Sequence, residues 1–331
     1  MGGFPLLSFS TPIRELTHAV VKAGEAAQSA NRGAKTKAGE GHRSVVTQGD
    51  QQSEKVLIDG ILRYFPKALI LSEEDADNPN MLKKDNPAGL LVADSAFIID
   101  PIDGTAPYGS YLGNWCVSAG MMNEGELTGG AIHVPDLNGG MTVVSEKGKG
   151  AVVIDNCPSH RWKEVKSLSD STDPKNATVF FGVDSMLYPS LTKLMPEIAA
   201  NVRVTGIANS GILALAQVAC GRITAVIQTP QKAWDWAGAY RAVLESGRIF
   251  SFFRLVRDWE GPLDEETKKP LMDKLVEVGE NTYDFEAFCY EKMKRLGFVA
   301  GEPEMVRRLM RLLPRRGFAR TNPEKVSGDW K

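Results

Sequence analysis

The feature that most constrains this chain is a short apolar run that leads directly into two closely spaced aspartates. The segment Ala96-Phe-Ile-Ile99 has the apolar character of a buried strand, and Asp100-Pro-Ile-Asp-Gly-Thr105 follows it at once. A turn at the proline brings both carboxylates to one strand end, and Gly104 allows the backbone to approach a ligand. Carboxylate oxygens are ligands that Mg²⁺ prefers in proteins. The pattern predicts a cation site at the end of a buried strand, and a loop with an Asx cap is the alternative.

Other acidic residues occupy comparable positions elsewhere in the chain. Glu73 and Glu74 follow the apolar run 68–71, and Asp235 lies in Trp234-Asp-Trp-Ala-Gly238 at the start of a predicted helix. Each has a simpler interpretation, because a glutamate pair at a strand end is most often solvated and an aspartate at a helix start most often caps it. Asp50 is open to the same capping interpretation. Local patterns alone therefore leave two interpretations for each of these carboxylates.

The first half of the chain has the element order of an α+β fold. Thr11 and Pro12 begin one helix, while Thr47 and Asp50 form a capping motif for a second. Residues 33–49 are polar and lack periodicity, which predicts a mobile loop. Its part 33–45, which carries Lys35 and Lys37, is expected to fold over the site when substrate binds, and a connection with no role is the alternative. The predicted elements are helices from Thr11 to near Gly33 and from the Thr47 cap to Phe65, strands 68–71 and 96–99, and a meander of strands over 117–122, 127–134, 141–145 and 151–154.

The second half alternates between strands and helices, which is typical of an α/β arrangement. We therefore predict two halves, residues 1–155 and 156–313, followed by a basic, solvated tail over 314–331. The predicted elements of the second half are strand 178–183, helix 210–220, strand 223–227, helix 236–246, strand 248–250 and helix 303–313.

Bulk composition excludes several classes of protein. Hydrophobic residues make up 43% of the 331 residues and charged residues 24%, and no apolar run reaches the roughly 18 residues of a membrane span. The net charge of −2 provides no general attraction for a nucleic acid polymer. The four cysteines form no Cys-x-x-Cys pair, which favours buried thiols over disulfides or zinc. Because the first ten residues lack a charged segment and a long apolar run, we predict a cytoplasmic protein.

Five motifs together resemble the inositol monophosphatase family, which belongs to the fructose-bisphosphatase-like superfamily of lithium-sensitive, magnesium-dependent phosphatases. The resemblance covers about residues 10–313, and the conjunction is more specific than any single motif. The motifs occur in the family's order and are Val46-Thr-Gln-Gly-Asp50 with Glu54, Leu71-Ser-Glu-Glu74, Asp100-Pro-Ile-Asp-Gly-Thr105, Val218-Ala-Cys-Gly-Arg222 and Trp234-Asp-Trp-Ala-Gly238. The resemblance implies an α/β fold, a layered αβαβα sandwich of the sugar phosphatase type.

The resemblance also implies a hydrolase that removes a phosphate from a small phosphorylated metabolite. Two Mg²⁺ ions would share the carboxylate of Asp100, and a third, weaker ion would be held by Glu73. Asp50 and Thr105 would orient the attacking water. The implied metal ligands are Glu73, Asp100, the carbonyl of Ile102, Asp103 and Asp235, the implied catalytic residues are Asp50, Glu73 and Thr105, and the expected substrate-binding residues are Asp103, Gly104, Thr105, Ser210, Gln228 and Asp235.

Two departures from the family pattern bear on the substrate. Ala106-Pro107-Tyr108 replaces the Thr-Asn-Phe that usually follows the first aspartate motif, and Gln228 stands where many members have an acidic residue. Besides an inositol or sugar phosphatase, a 3′(2′),5′-bisphosphate nucleotidase and a fructose-1,6-bisphosphatase therefore remain alternatives. A catalytically silent metal-binding scaffold is the alternative from another class, although no implied ligand is missing. A homodimer stays open as the assembly.

Overall fold

Two seven-stranded sheets, a two-stranded hairpin and three layers of helices make up the described part of the fold. The computed structural model describes residues 5–37, 45–74, 76–84, 86–137, 139–155, 162–164, 173–281, 283 and 295–320. The elements of the first half are α1 (Thr11–Ser29), β1 (Lys35–Thr36), β2 (Val45–Val46), α2 (Gln48–Tyr64), β3 (Leu69–Ser72), β4 (Ala96–Asp103), α3 (Thr105–Gly109), β5 (Cys116–Asn123), β6 (Glu126–Val134), β7 (Met141–Glu146), β8 (Gly150–Asp155) and β9 (Trp162–Glu164).

The second half continues with a similar number of elements. They are β10 (Thr178–Gly182), α4 (Pro189–Thr192), α5 (Met195–Asn201), β11 (Val204–Ala208), α6 (Gly211–Ala219), β12 (Ala225–Gln231), α7 (Ala237–Glu245), β13 (Ile249–Arg257), β14 (Asp273–Glu280), β15 (Leu296–Gly301), α8 (Pro303–Leu312) and β16 (Arg316–Phe318). Single 3-10 turns cover Pro5–Ser8, Ala88–Leu91, Pro174–Asn176, Val183–Leu187 and Ala233–Asp235.

The first sheet is a meander with the order β3-β4-β5-β6-β7-β8-β9. Strands β3 and β4 run parallel, and each later neighbour pairs antiparallel. Helices α1 and α2 cover one face and bury an apolar cluster that includes Leu16, Val20 and Ile58. This pairing follows from the α1 sequence, whose apolar residues recur at helical spacing and are the buried ones.

The second sheet is mixed and has the order β11-β10-β12-β15-β13-β14-β16. Strands β11, β10 and β12 are parallel, and the remaining neighbours are antiparallel. Helices α4, α5 and α8 share an apolar cluster with one face of this sheet. Helices α6 and α7 lie between the two sheets, where both contribute to the largest apolar cluster. The layers therefore follow the order αβαβα, as expected from the family resemblance.

Most of the predicted elements are confirmed within a few residues, including both opening helices, the meander and the alternation of the second half. Three differences affect the site or the core. Strand β4 continues past residue 99 to Asp103, because β5 pairs with it across the aspartate motif. Strand β13 runs to Arg257 and pairs with the unpredicted β14. The tail was expected to be solvated, which is wrong for β16, since it pairs with β14 and buries Phe318.

Three further predictions can be placed on the fold. The loop predicted over 33–49 contains the short hairpin of β1 and β2, and its residues 38–44 lie outside the described residues. Cys116 and Cys220 are buried free thiols, as predicted, whereas Cys157 and Cys289 lie outside the described ranges. Among the helices of the described chain, none combines the length and apolar character that crossing a membrane requires. The division into halves at residues 155 and 156 remains a prediction. Strand β9 is the last strand of the first sheet, and β10 belongs to the second.

Candidate active site

Asp100 and Asp103 lie at the end of β4, where its ladder with β5 is irregular. Asp100 pairs with Ser118 and Asp103 with Cys116, so β4 carries one more residue than β5 between these pairs. A proline has no N–H to contribute to a ladder, and Pro101 falls inside this bulge. Pro101 thereby lies where the hydrogen-bond ladder of a buried strand is interrupted, between the two aspartates.

Gly104 turns the chain out of β4 into the short helix α3. Its φ of 92° lies in the left-handed region, which favours glycine. A Cβ at this position would lie 2.9 Å from the carbonyl oxygen of Asn114 and 3.2 Å from the side chains of Pro107 and Ser210. The turn that follows the two aspartates therefore requires glycine for its conformation and for the space around it.

Asp100, Asp103 and Asp235 form one cluster of carboxylates. Their oxygens lie within 4.8 Å of one another. Asp100 is buried, and neither of its oxygens receives a hydrogen bond from the residues that the structure describes. Burial raises the pKa of Asp100 well above its ordinary value, and the charge of Glu73 raises it further. A buried carboxylate in this state requires either a proton or a cation, and the three aspartates together fit a hard metal ion.

Asp103 is held by the first turn of α6. The Ser210 hydroxyl and the Ile212 N–H both donate to Asp103 Oδ2, each over 2.6 Å. Burial raises the pKa of Asp103 to about 6, and these two hydrogen bonds act in the opposite direction. Ser210 also caps α6 by accepting from the Leu213 N–H. The Ser210 hydroxyl thus contacts a carboxylate of the cluster. The expectation that Ser210 also binds substrate stays a prediction.

Asp235 ends a 3-10 turn immediately before α7. Its Oδ2 accepts from the Lys232 N–H over 2.7 Å, and the residue that precedes α7 is Trp236, which makes no capping bond with its side chain. The simpler interpretation of Asp235 as the cap of this helix is therefore wrong. Burial raises its pKa, as do the charges of Glu73 and Asp103. Asp235 thus joins the cluster from the layer of helices between the sheets.

Glu73 and Glu74 follow β3 and are bridged by a lysine from the hairpin of β1 and β2. Lys37 Nζ lies 3.1 Å from Glu73 Oε1 and 2.5 Å from Glu74 Oε1, and all three side chains are largely buried. Lys84 donates to the carbonyl oxygen of Glu73. The interpretation of this pair as two solvated carboxylates is therefore wrong. The role of Glu73 as a metal ligand stays a prediction, supported by the influence of its charge on the pKa of Asp100.

Asp50 and Thr105 are joined by a hydrogen bond. The Thr105 hydroxyl lies 3.2 Å from Asp50 Oδ1 and 3.1 Å from the carbonyl oxygen of Ile102. The other oxygen of Asp50 accepts from the N–H and the hydroxyl of Thr47, each over 2.7 Å, which completes the predicted capping box of α2. Asp50 therefore both takes part in capping α2 and accepts a hydrogen bond from the Thr105 hydroxyl. Burial raises its pKa.

Gln228 lies on β12 and is buried between two glycines. A Cβ on Gly182 would lie 1.7 Å from Gln228 Oε1, and one on Gly211 would lie 3.4 Å from its Nε2. Gly211 follows Ser210 at the start of α6, so the amide lies one residue from the group that holds Asp103. The structure thereby places Gln228 near the cluster, and its contact with a substrate stays a prediction.

Two features of this site did not follow from the sequence. The Ile212 N–H binds Asp103, and only the predicted start of helix 210–220 could have indicated a donor there. Tyr108 packs against the first turn of α2 beside Asp50. The sequence feature that could have indicated this contact is the departure from the family's Thr-Asn-Phe. We interpreted that departure in terms of substrate specificity, although its contacts lie on the Asp50 side of the site.

A family model and several curated proteins match this chain. The family model described as inositol monophosphatase family matches residues 11–287. A protein of Thermotoga maritima named fructose-1,6-bisphosphatase/inositol-1-monophosphatase is 28% identical over 213 residues, which cover 64% of this chain and 73% of that protein. The Nus factor SuhB of Xylella fastidiosa is 28% identical over 208 residues, which cover 62% of this chain and 68% of the SuhB chain.

Solved structures show the same fold at low sequence identity. The extragenic suppressor protein suhB of Bartonella henselae has a TM-score of 0.66 at 20% identity, with 92% of this chain and 98% of that chain covered. An IMPase of Thermotoga maritima has a TM-score of 0.62 at 20% identity, and the match covers 90% of this chain and 94% of the IMPase chain. The layered fold thus has the architecture of these IMPase and suhB structures. The chain belongs to the inositol monophosphatase family.

Proposed function

We propose that this chain is a magnesium-dependent phosphatase that hydrolyses a phosphate monoester of a small molecule. The observation that carries the proposal is Asp100, whose buried carboxylate receives no hydrogen bond from the described residues and has two further aspartates within 4.8 Å. Such a carboxylate is stabilised by a cation that shares its charge with neighbouring ligands. The names of the relatives, which include fructose-1,6-bisphosphatase and inositol-1-monophosphatase, support a phosphate ester as the substrate.

The proposed ligand set follows the family resemblance. Glu73, Asp100 and the Ile102 carbonyl would hold one Mg²⁺, and Asp100, Asp103 and Asp235 a second, with a further weak site at Glu73. Bound ions of this kind lower the pKa of an attacking water and neutralise the leaving oxygen. The chain itself has to keep Asp103 in place, which the Ser210 hydroxyl and the Ile212 N–H accomplish.

The residues on the other side of the cluster would position the reactants. Asp50 and Thr105, which are already hydrogen-bonded to each other, would orient the attacking water. The N–H groups of Gly104 and Thr105 would donate to phosphate oxygens as charge develops on them. No side chain has to act as a nucleophile in this scheme. In-line attack by water on phosphorus makes positioning and charge neutralisation the main tasks.

The proposed substrate is an inositol phosphate or a sugar phosphate. Gln228 replaces the acidic residue common in the family, and its amide is a weaker acceptor for sugar or inositol hydroxyls, which keeps the alternative substrates open. It lies beside Gly211, close to the cluster, where the hydroxyl groups of a polyol would meet it. A fructose bisphosphate and a nucleoside 3′,5′-bisphosphate are the alternatives within the same chemistry.

A second candidate function is non-catalytic binding. Its basis is that several relatives carry the name Nus factor SuhB. A chain kept only for binding would be free to lose a carboxylate of the cluster. Asp50, Glu73, Asp100, Asp103 and Asp235 are all present, which favours hydrolysis.

Phosphate release from a substrate panel tests the proposal. The panel contains inositol 1-phosphate, fructose 1,6-bisphosphate and 3′-phosphoadenosine 5′-phosphate, each with Mg²⁺, with EDTA, and with Mg²⁺ plus Li⁺ or Ca²⁺. We expect turnover with Mg²⁺, its loss in EDTA, and inhibition by both added ions, because Ca²⁺ prefers a larger and looser coordination shell. Turnover that persists in EDTA would rule out the metal-dependent reaction. Mg²⁺ binding without phosphate release from any member would favour the binding function.

A further inference from the structure

We infer that Tyr108 is a positioning residue that keeps Asp50 and Thr105 in hydrogen-bonding contact, an inference that rests on the proposed function. Tyr108 lies on α3, the helix that Thr105 begins, and its side chain is fully buried. None of its atoms has to touch the substrate for this role. It acts through the two residues that would orient the attacking water.

The hydroxyl of Tyr108 connects α3 with the end of α1. It donates to the carbonyl oxygen of Ala27 over 2.7 Å. The Thr47 hydroxyl donates to Asp50 Oδ2, and Asp50 Oδ1 accepts from Thr105. The Tyr108 ring therefore packs against the turn that carries the hydrogen bonds of Thr47 and Asp50, and Asp50 in turn bonds Thr105 on the same short helix as Tyr108.

The ring of Tyr108 is packed directly against the first turn of α2. A Cβ on Gly49 would lie only 2.1 Å from the Tyr108 hydroxyl oxygen and 2.6 Å from the carbon that bears it. Gly49 immediately precedes Asp50, so the glycine permits a close approach between the ring and the turn that presents the carboxylate. A displaced Tyr108 would leave a gap at this contact and allow Asp50 to move.

A cation and a second ring fix the other sides of Tyr108. The guanidinium of Arg32 lies 4.6 Å from the ring centroid, and the Trp115 ring meets it edge-on with the centroids 4.8 Å apart. Asp136 holds both neighbours, since it pairs with Arg32 at 3.0 Å and accepts from Trp115 Nε1 at 2.7 Å. Contacts of this kind favour one ring orientation.

Helix α3 needs such an anchor because it has only five residues. A helix of this length has little stability of its own, and its orientation is set by what its side chains contact. Tyr108 supplies that contact three residues after Thr105. A phenylalanine, which the family usually has at this position, would keep the ring and lose the hydrogen bond to Ala27. The chain-specific hydroxyl is therefore the group whose removal tests the inference.

The test compares Tyr108→Phe, Thr105→Ala and the double variant with the wild-type chain. The readouts are kcat and KM for phosphate release, together with Mg²⁺ binding by calorimetry. Tyr240→Phe is the matched control, because Tyr240 is also buried and its hydroxyl also donates to a backbone carbonyl, that of Asn281, over 2.7 Å. Thermal melts of all variants report any general loss of stability.

We expect Tyr108→Phe to lower kcat about fivefold or more while KM and the Mg²⁺ dissociation constant change less than about twofold. In the Thr105→Ala background the same change should lower kcat by less than about twofold, since the hydroxyl it positions is already absent. Tyr240→Phe should keep wild-type kcat.

Two results would overturn the inference while the proposed function stands. One is a Tyr108→Phe variant with wild-type kcat, and the other is an equal loss of kcat with and without Thr105. A wild-type chain that releases no phosphate from any substrate would overturn the proposed function, and the inference with it.

Discussion

Ser210 donates its hydroxyl to Asp103 Oδ2 over 2.6 Å, although the two residues are 107 positions apart in the chain. The bond joins the end of β4 to the first turn of α6. The Ile212 N–H reinforces it on the same oxygen. The orientation of Asp103 is thereby set by the helix layer between the sheets, and the other carboxylate oxygen stays available to a cation.

This contact predicts the effect of Ser210→Ala. The variant removes one of two donors to Asp103, and loss of a group that orients a metal ligand typically costs tenfold to a hundredfold in affinity. We expect the Mg²⁺ concentration for half-maximal phosphate release to rise about tenfold. Ser246→Ala is the control, because the Ser246 hydroxyl is buried and donates to the Val243 carbonyl outside the site. Equal Mg²⁺ dependence of the two variants would show that Ser210 does not orient the ligand.

Asp235→Asn separates the charge of Asp235 from its hydrogen bond. Asparagine can still accept from the Lys232 N–H but cannot neutralise an ion. We expect turnover to fall by at least about 100-fold, or roughly 2.7 kcal/mol in the barrier, with partial recovery at high Mg²⁺. The matched control is Asp173→Asn, since Asp173 accepts from the Lys175 N–H at another 3-10 turn. Activity within a few-fold of wild type at limiting Mg²⁺ would remove Asp235 from the ligand set.

Thr105→Ala should act on the chemical step. A hydroxyl that orients the attacking water contributes mainly in the transition state, so kcat should fall about tenfold or more and KM should change little. Thr192→Ala controls for the local hydrogen bond, because the hydroxyls of Thr192 and Thr105 both donate to the carbonyl three residues earlier over 3.1 Å. A rise in KM with unchanged kcat would contradict the proposed role.

The pKa of Asp103 predicts how Mg²⁺ stabilisation depends on pH. In the folded chain this pKa is raised from 3.8 to about 6, so without an ion Asp103 contributes stability that is present below about 3.8 and lost as pH rises through about 6. An ion that keeps Asp103 deprotonated removes this loss. The gain in melting temperature from Mg²⁺ over EDTA should therefore increase between pH 5 and pH 7.

Two comparisons make the pH experiment specific. His133 titrates in the opposite sense, because burial lowers its pKa to about 4, but it affects the Mg²⁺ and EDTA samples equally and cancels in the difference. Asp103→Asn removes one titrating carboxylate of the cluster and should weaken the dependence, which Asp100 and Asp235, whose pKa values are also raised, would still carry in part. A Mg²⁺ effect that is the same at pH 5 and pH 7 in the wild-type chain would contradict the prediction.

The sequence was most informative where local chemistry determines structure. Gly104 turns the chain out of β4 and the Thr47–Asp50 cap fixes the start of α2, so these features and their carboxylates were predictable, whereas the turn expected at Pro101 is a bulge inside β4. Alternating apolar runs separated by turn residues likewise predicted the meander of the first sheet. In each case the residues that decide the outcome are close together in the chain.

Contacts between distant segments were not predictable in the same way. The pairing of β13 with β14, the position of β15 between β12 and β13, and the edge strand β16 depend on which apolar faces meet, and no local pattern fixes that choice. Lys37 shows the same limit in the site, because its bridge to Glu73 and Glu74 joins segments 36 and 37 residues apart. A pattern of polar residues predicted the loop but could not assign its partner.

The placement of α6 and α7 between the two sheets has a consequence for folding. Asp100 and Asp103 come from the first sheet, while Asp235 and the Ser210 donor come from the intervening helices, so a complete ion-binding cluster exists only after sequence-distant segments have docked. Contacts of such large separation form late, because the intervening chain must first lose its freedom. The binding free energy of the proposed ion would then be available only to the fully assembled chain. Magnesium would therefore stabilise only chains in which both sheets have docked onto α6 and α7, and it would not stabilise partly folded chains.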